Sequence, residues 1–225
     1  MMRETHRLYK ILFYVFSCFV MLYSSSIKAQ NKNEKILKKV TKYFGELEKE
    51  GIQACIHNEP EVAKAIKQGK YEKKYDIFMD GCNESVSHYG LFETDTKHLL
   101  TTLYNNKDSD FIIINMINPK DRSTLISKST FTFSRKKNEK ELYIINNHYE
   151  YNEEKKKYEL IKDSSISNFN VEEKMKLIED YLYYKKENSI SDKSRNKPYS
   201  GSYYVVARIN GKFLIKEVLD YSSEN

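Results

Sequence analysis

The chain has 225 residues, a formal charge of +6 and 40% hydrophobic residues, with 19 Tyr and no Trp. That length gives one domain, or one domain with an appendage, and enough chain to bury a core of its own. The charge excess is small and Lys and Glu alternate closely, which argues against the basic stripe of a nucleic-acid binder; seven glycines and the absence of GxxxxGK[ST] and GxGxxG argue against a phosphate-cradling loop.

The first segment sets the compartment. Arg3, Arg7 and Lys10 precede an uncharged run, Ile11–Tyr23, and a polar stretch ends at Ala29. This is the layout of a secretory signal, predicted to span residues 1–29 with cleavage leaving Gln30 first. The run is too short for a comfortable bilayer crossing, which takes about 20 residues. A lipoprotein reading through Cys18 is weak, because apolar residues follow it directly. The expectation is a secreted or periplasmic, cell-envelope protein with no stable membrane span after cleavage, and a single domain over residues 30–225. The signal carries four basic residues and one acidic, so the remainder has a charge of +3 and much of the basicity belongs to export. Cleavage removes Cys18 and leaves Cys55 and Cys82, an even pair in an oxidising compartment. A Cys55–Cys82 bond would contribute roughly 3–4 kcal/mol in the chain-entropy account.

Residues 33–50 predict a helix, with Ile36, Leu37, Val40, Tyr43, Phe44 and Leu47 on one stripe, Asn33 as cap and Gly51 as stop. Ile52–His57 has no clear period. Asn58-Glu59-Pro60 starts a short second helix that Gly69 ends. Tyr75–Met79 suggests a strand and Asp80-Gly81 a turn; Asp95 is placed to cap a helix running to about Asn105.

From Asp110 the pattern becomes β-rich. Phe111–Ile117 reads as a buried strand closed by a turn at Asn118–Asp121; Ser123–Ser134, Leu142–Asn152 and Tyr158–Lys162 follow, with charged turns at Arg135–Lys140 and Glu153–Lys157. That describes an antiparallel meander. Asn170 caps a helix with Glu173 three residues on, and residues 188–198 read as an exposed loop. Asn210-Gly211 suits a type I′ turn joining Ser202–Ile209 to Lys212–Tyr221, opposing Val206 to Ile215 and Ala207 to Leu214. The fold class is therefore α+β: N-terminal helices and one late helix on an antiparallel sheet of five to seven strands. This order is compatible with cone-shaped NTF2-like or cystatin-like folds, an analogy that fixes no function.

The densest reactive group is Cys55, His57, Asp80, Cys82, Glu84, Ser87, His88, Asp95 and His98. It could hold a Cys55 nucleophile with His57 as base, or a metal among His57, His88 and His98 with Asp80 or Asp95. Ser85, Ser87 and Ser200 are the serine candidates. None has a family signature: HExxH, CxxC and Gly-x-Ser-x-Gly are absent. No catalytic residue, metal ligand or cofactor is assigned. Tyr143, Tyr149, Tyr151, Tyr158, Tyr203 and Tyr204 lie in or beside the strands and could form a binding face, or sit half-buried in an amphipathic sheet. The leading expectation is an exported, non-catalytic protein that binds a ligand, or a protein, peptide or glycan partner, through a Tyr-rich sheet face or cleft. The alternative is an envelope hydrolase or metal-dependent enzyme built on the Cys55–His98 segment.

Overall fold

In the computed structural model, strand β1 (Phe111–Ile117) lies at the centre of one seven-stranded antiparallel sheet. The structure describes residues 34–105, 109–117, 127–152, 154–155, 157–161, 170–186, 190–191 and 201–220. The signal segment, the turn at 118–121 and most of the 188–198 loop lie outside them. The chain divides into a unit of residues 1–39, of which 34–39 are described and helical, and a main unit of residues 40–225.

The other strands are β2 (Ser127–Lys136), β3 (Tyr143–Asn152), β4 (Lys157–Ile161), β5 (Ile190–Ser191), β6 (Gly201–Ile209) and β7 (Lys212–Asp220), in the order β4-β3-β2-β1-β6-β7-β5. Six of the seven β1 residues are buried. The apolar run FIIINMI therefore has no solvent face, and the sheet needs cover on both sides. Ile112, Ile114 and Met116 join Phe131, Phe133, Tyr203 and Val205 beneath helix α5 (Val171–Tyr184), which inserts Val171, Met175 and Ile178. The opposite face carries Phe111, Ile113 and Tyr204. Helix α4 (His88–Thr102) covers it with Phe92, and Tyr104 just beyond stacks on Phe111 at 4.6 Å. Phe44 of helix α1 (residues 34–57) reaches the Tyr204 ring on the same side.

The closing hairpin has the expected turn and register. Asn210 and Gly211 take φ of 50° and 73°, and Val206 faces Ile215 as Ala207 faces Leu214. Asp110 fixes this turn to the centre of the sheet. Its carboxylate accepts the N–H groups of Asn210 (2.7 Å) and Gly211 (3.1 Å), while its carbonyl accepts the N–H of Lys137 in the β2–β3 turn. One residue thus ties two hairpin tips to the start of β1.

The helical half departs from the sequence expectation in three places. Gly51 does not stop α1, which continues to residue 57. A Cβ built there would lie 2.5 Å from Val86 Cγ1, so glycine is present for close approach to helix α3 (Asp76–Val86), not for a cap. Tyr75–Met79 and Asp80-Gly81 are not strand and turn. Lys73–Tyr75 is a 3₁₀ turn and α3 follows it. Cys82 and Val86, four apart, are the buried residues of α3, and this tertiary anchoring overrides the local preference of Asp-Gly. Asp95 does not cap α4, which starts at His88. The stripe Phe92, Thr96, Leu99 and Leu100 extends the helix on both sides of Asp95. Helix α2 (Pro60–Lys67) is as expected: Gly69 at φ 65° ends it, with Gly69 N–H on Ile66 O and Lys70 N–H on Ala65 O, the paired bonds of a left-handed C-terminal cap.

Gly51→Ala should lower stability by about 1–3 kcal/mol through overpacking against Val86. Urea denaturation of Gly51→Ala, Val86→Ala and the double variant checks this. In the double variant the loss should be smaller than the sum of the singles; strict additivity would remove the close-approach explanation.

Candidate functional site

The structure does not bring the candidate side chains of the Cys55–His98 segment into one group. Cys55 and Cys82 form a disulfide between α1 and α3, so neither is a thiolate. His57 lies two residues beyond Cys55 on a helix, not a strand. A step of two residues turns about 200°, which points the side chains apart. His57, Asp80 and His98 are exposed, whereas His88 is 4% exposed and packed against the rings of Tyr89 and Phe92. Among the described residues no three His, Cys, Asp or Glu side chains are grouped to hold a metal ion. The Ser85 and Ser87 hydroxyls donate to the carbonyls of Cys82 and Glu84, within their own helical turn. Ser200 lies outside the described residues.

Asp95 instead faces the sheet within a polar network that the sequence did not reveal. Its Oδ2 accepts from Asn147 Nδ2 at 2.9 Å and lies 3.2 Å from Thr132 Oγ1. The single Thr132 proton has a second acceptor, Asn115 Oδ1, at 2.7 Å. Asn115 Nδ2 donates to Thr96 Oγ1 and to the Tyr204 carbonyl. Burial pushes the Asp95 carboxyl above its usual 3.8, and the bonds from Thr132 and Asn147, with His98 nearby, pull it down. Burial, with a contribution from Asp95, also raises Tyr149 to about 12. Asp95, Thr96, Asn115, Thr132 and Asn147 thus form one hydrogen-bonded network across the α4–sheet interface.

A cross-strand pair, Ser129 Oγ and His148 Nδ1, is hydrogen-bonded at 2.6 Å, with Glu150 4.0 Å from Nε2. Ser129 is buried and its hydroxyl is already engaged by His148. The sheet tyrosines divide. Tyr149, Tyr203 and Tyr204 are buried beneath the helices and Tyr143 is exposed; the side chains of Tyr151 and Tyr158 are outside the description.

A concave surface among the described residues lies elsewhere, between the β2–β3 turn and α5. It is a cleft of about 800 Å³. The turn forms because Asn138 takes the left-handed φ of 72°. Asn170 caps α5 by accepting the Glu173 N–H at 3.1 Å, which sets the helix start. With Val171, Met175 and Ile178 turned to the core, Glu172, Lys176, Glu179 and Tyr183 fall on one outward stripe and line the cleft. Arg135 and Lys137 supply the opposite wall. Arg135 lies 3.6 Å from Glu172 and 3.7 Å from Glu179, and Lys137 Nζ sits 5.0 Å above the Tyr183 ring. The Tyr183 hydroxyl and Arg135 Nε are buried without a hydrogen-bond partner among the described residues. Burial, then the charges of Asp110 and Glu179, pushes the Tyr183 phenol up; burial raises Glu179 while Arg135 lowers it. Exposed Tyr184 sits at the rim.

In the sequence, Arg135–Lys140 reads as a charged turn, and nothing there brings it together with α5. The available signal was the 172/176/179/183 spacing, which puts two carboxylates, an amine and a phenol on one stripe. No known protein family, curated protein or solved structure matches the chain.

A carboxyl raised by burial binds its proton more tightly in the folded state, so its contribution to stability falls as pH rises from the usual 3.8 through the raised value. Asp95→Asn should remove this contribution. Thermal melts from pH 3 upward should show a flatter profile for the variant across that window; an unchanged profile would mean that Asp95 titrates as it does in the unfolded chain.

Proposed function

We propose that the protein is an exported binding protein that holds a peptide, a glycan or a segment of a partner protein in the cleft between the β2–β3 turn and α5. The observation that carries this reading is the cleft itself. Its volume falls within the roughly 300–1,000 Å³ usual for ligand sites. It offers tyrosine rings, cations and carboxylates together, and two of its buried polar atoms have no hydrogen-bond partner among the described residues. Tyrosine suits such a site because a rigid ring supplies contact area and the hydroxyl a hydrogen bond.

Two further observations favour binding over catalysis. Cys55 and Cys82 are consumed by a disulfide, and the candidate histidines and acids lie in different surroundings. The disulfide also fits an oxidising compartment, in keeping with the secretory layout of residues 1–29. Among the described residues no helix is long and apolar enough to cross a membrane.

Intact mass of the protein from its native host, with and without reductant and alkylation, tests the export half. The expected species starts at Gln30 and takes up no alkylating agent until reduced. Retention of residues 1–29, or two alkylatable thiols in the native protein, would contradict it. Amide NMR titration with pooled hexapeptides and oligosaccharides tests the cleft: shifts should cluster on residues 135–140 and on α5. Clustering around Asp95 and Asn147 instead would move the site.

A further inference from the structure

The cleft contains a guanidinium, that of Arg135, whose Nε has no hydrogen-bond partner among the described residues. Arg135 ends β2 where the cleft opens, and its side chain is 18% exposed. A guanidinium has five N–H donors and no acceptor, so one covered this far needs several oxygen partners. Its two ion pairs, 3.6 Å from Nη2 to Glu172 and 3.7 Å from Nη1 to Glu179, are both beyond hydrogen-bond length. Nε is buried with no hydrogen-bond partner among the described residues.

The two carboxylates are not equivalent. Glu179 is 25% exposed and stands beside Nη1. Glu172 is 75% exposed, in the first turn of α5, and stands beside Nη2. One edge of the guanidinium therefore has a half-buried companion. The other edge, Nε with Nη2, has one solvent-held carboxylate and a donor, Nε, without a partner among the described residues. That edge presents two parallel N–H groups at the spacing of the two oxygens of a carboxylate.

We propose that Arg135 is the anchor for a ligand carboxylate, which takes the Nε–Nη2 edge in two parallel hydrogen bonds and releases Glu172 to solvent. This rests on the cleft being the binding site. Lys136, Lys137, Lys140 and Lys176 line the same space, so the incoming anion does not meet carboxylates alone. The Tyr183 ring, held under Lys137, lies in the same cleft to take the apolar body that carries the carboxylate. A peptide with a free C-terminus and a uronic acid share this chemistry.

The test uses the exported, oxidised protein and NMR of the Arg135 Nε–Hε signal, identified by its loss in Arg135→Lys. The probes are N-acetylated hexapeptide pools with a C-terminal acid or amide, glucuronate, and inorganic phosphate. The acid pool should shift the Nε–Hε signal and bind about tenfold or more tighter than the amide pool, as expected for hydrogen bonds to a charged group. Glucuronate in place of the acid pool would assign the same anchor to a sugar acid. Arg135→Lys keeps the charge but loses the two-pronged edge, and should abolish the preference for acid over amide. Glu172→Gln should tighten acid binding several-fold. Acid and amide pools that shift the cleft equally, with Nε–Hε unmoved, would overturn the anchor and leave the cleft as the site. Phosphate bound more tightly than any carboxylate would overturn the ligand class. No shift of any cleft signal with any probe would overturn both the anchor and the cleft reading.

Discussion

The architecture depends on the burial of β1 from both sides. Ile112, Ile114 and Met116 project toward α5, and Phe111 and Ile113 toward α4, all at 5% exposure or less. Each such side chain contributes roughly 1.5–3 kcal/mol on burial, whereas an exposed ion pair of the kind along α1 contributes about 0–1 kcal/mol. The run of five therefore outweighs the surface charges and dictates a helix layer on each face. Asn115 is the exception that fixes register. A slip of one residue would turn Asn115 into the α5 core and strand Thr96 and Thr132. The polar network thus specifies pairing as well as satisfying itself.

The N-terminal layer is held by two different devices. Gly51 allows α1 to come within contact of Val86 on α3, and the Cys55–Cys82 bond joins the same two helices one turn further along α1. The disulfide limits the unfolded chain, while the glycine permits the folded packing. Their adjacency explains why α3 forms from a sequence as poor in helix signals as DIFMDGCNESV: Cys82 and Val86 are fixed to α1, and the intervening residues follow.

What the sequence made legible follows from whether the deciding force is local. Residues 111–117, the Asn210-Gly211 turn and the Asn170 cap depend on apolar runs, φ preference and a side chain meeting its own helix end, and they lie where local pattern put them. The α+β class followed from those elements. Residues 75–86 depend on partners some thirty residues away, which no window of sequence contains, so Asp80-Gly81 was read as the turn it resembles. Asp95 was misread for the same reason. An acid before an apolar stretch is a cap by local rules, but its carboxylate is engaged by Thr132 and Asn147 across 37 and 52 residues. The cleft was hidden more thoroughly, because Arg135 and Glu179 meet only once β2 and α5 pack on each other.

The polar groups around Asn115 and those around Arg135 differ in a way that bears on the proposed function. Around Asn115 the donors and acceptors come from α4, β1, β2 and β6 and are matched to one another, with Tyr204 contributing a backbone carbonyl. A group already satisfied gains little from a ligand, since binding would replace one hydrogen bond by another. Around Arg135 the two carboxylates stand beyond bonding distance, Nε has no partner among the described residues, and the more exposed carboxylate, Glu172, is the one beside Nη2. A buried donor without an acceptor loses its hydration and gains nothing in return, so a ligand that supplies the acceptor recovers that loss on binding. The network at Asn115 is spent within the fold, whereas Arg135 Nε has no acceptor among the described residues, which is the physical basis for placing the proposed ligand there.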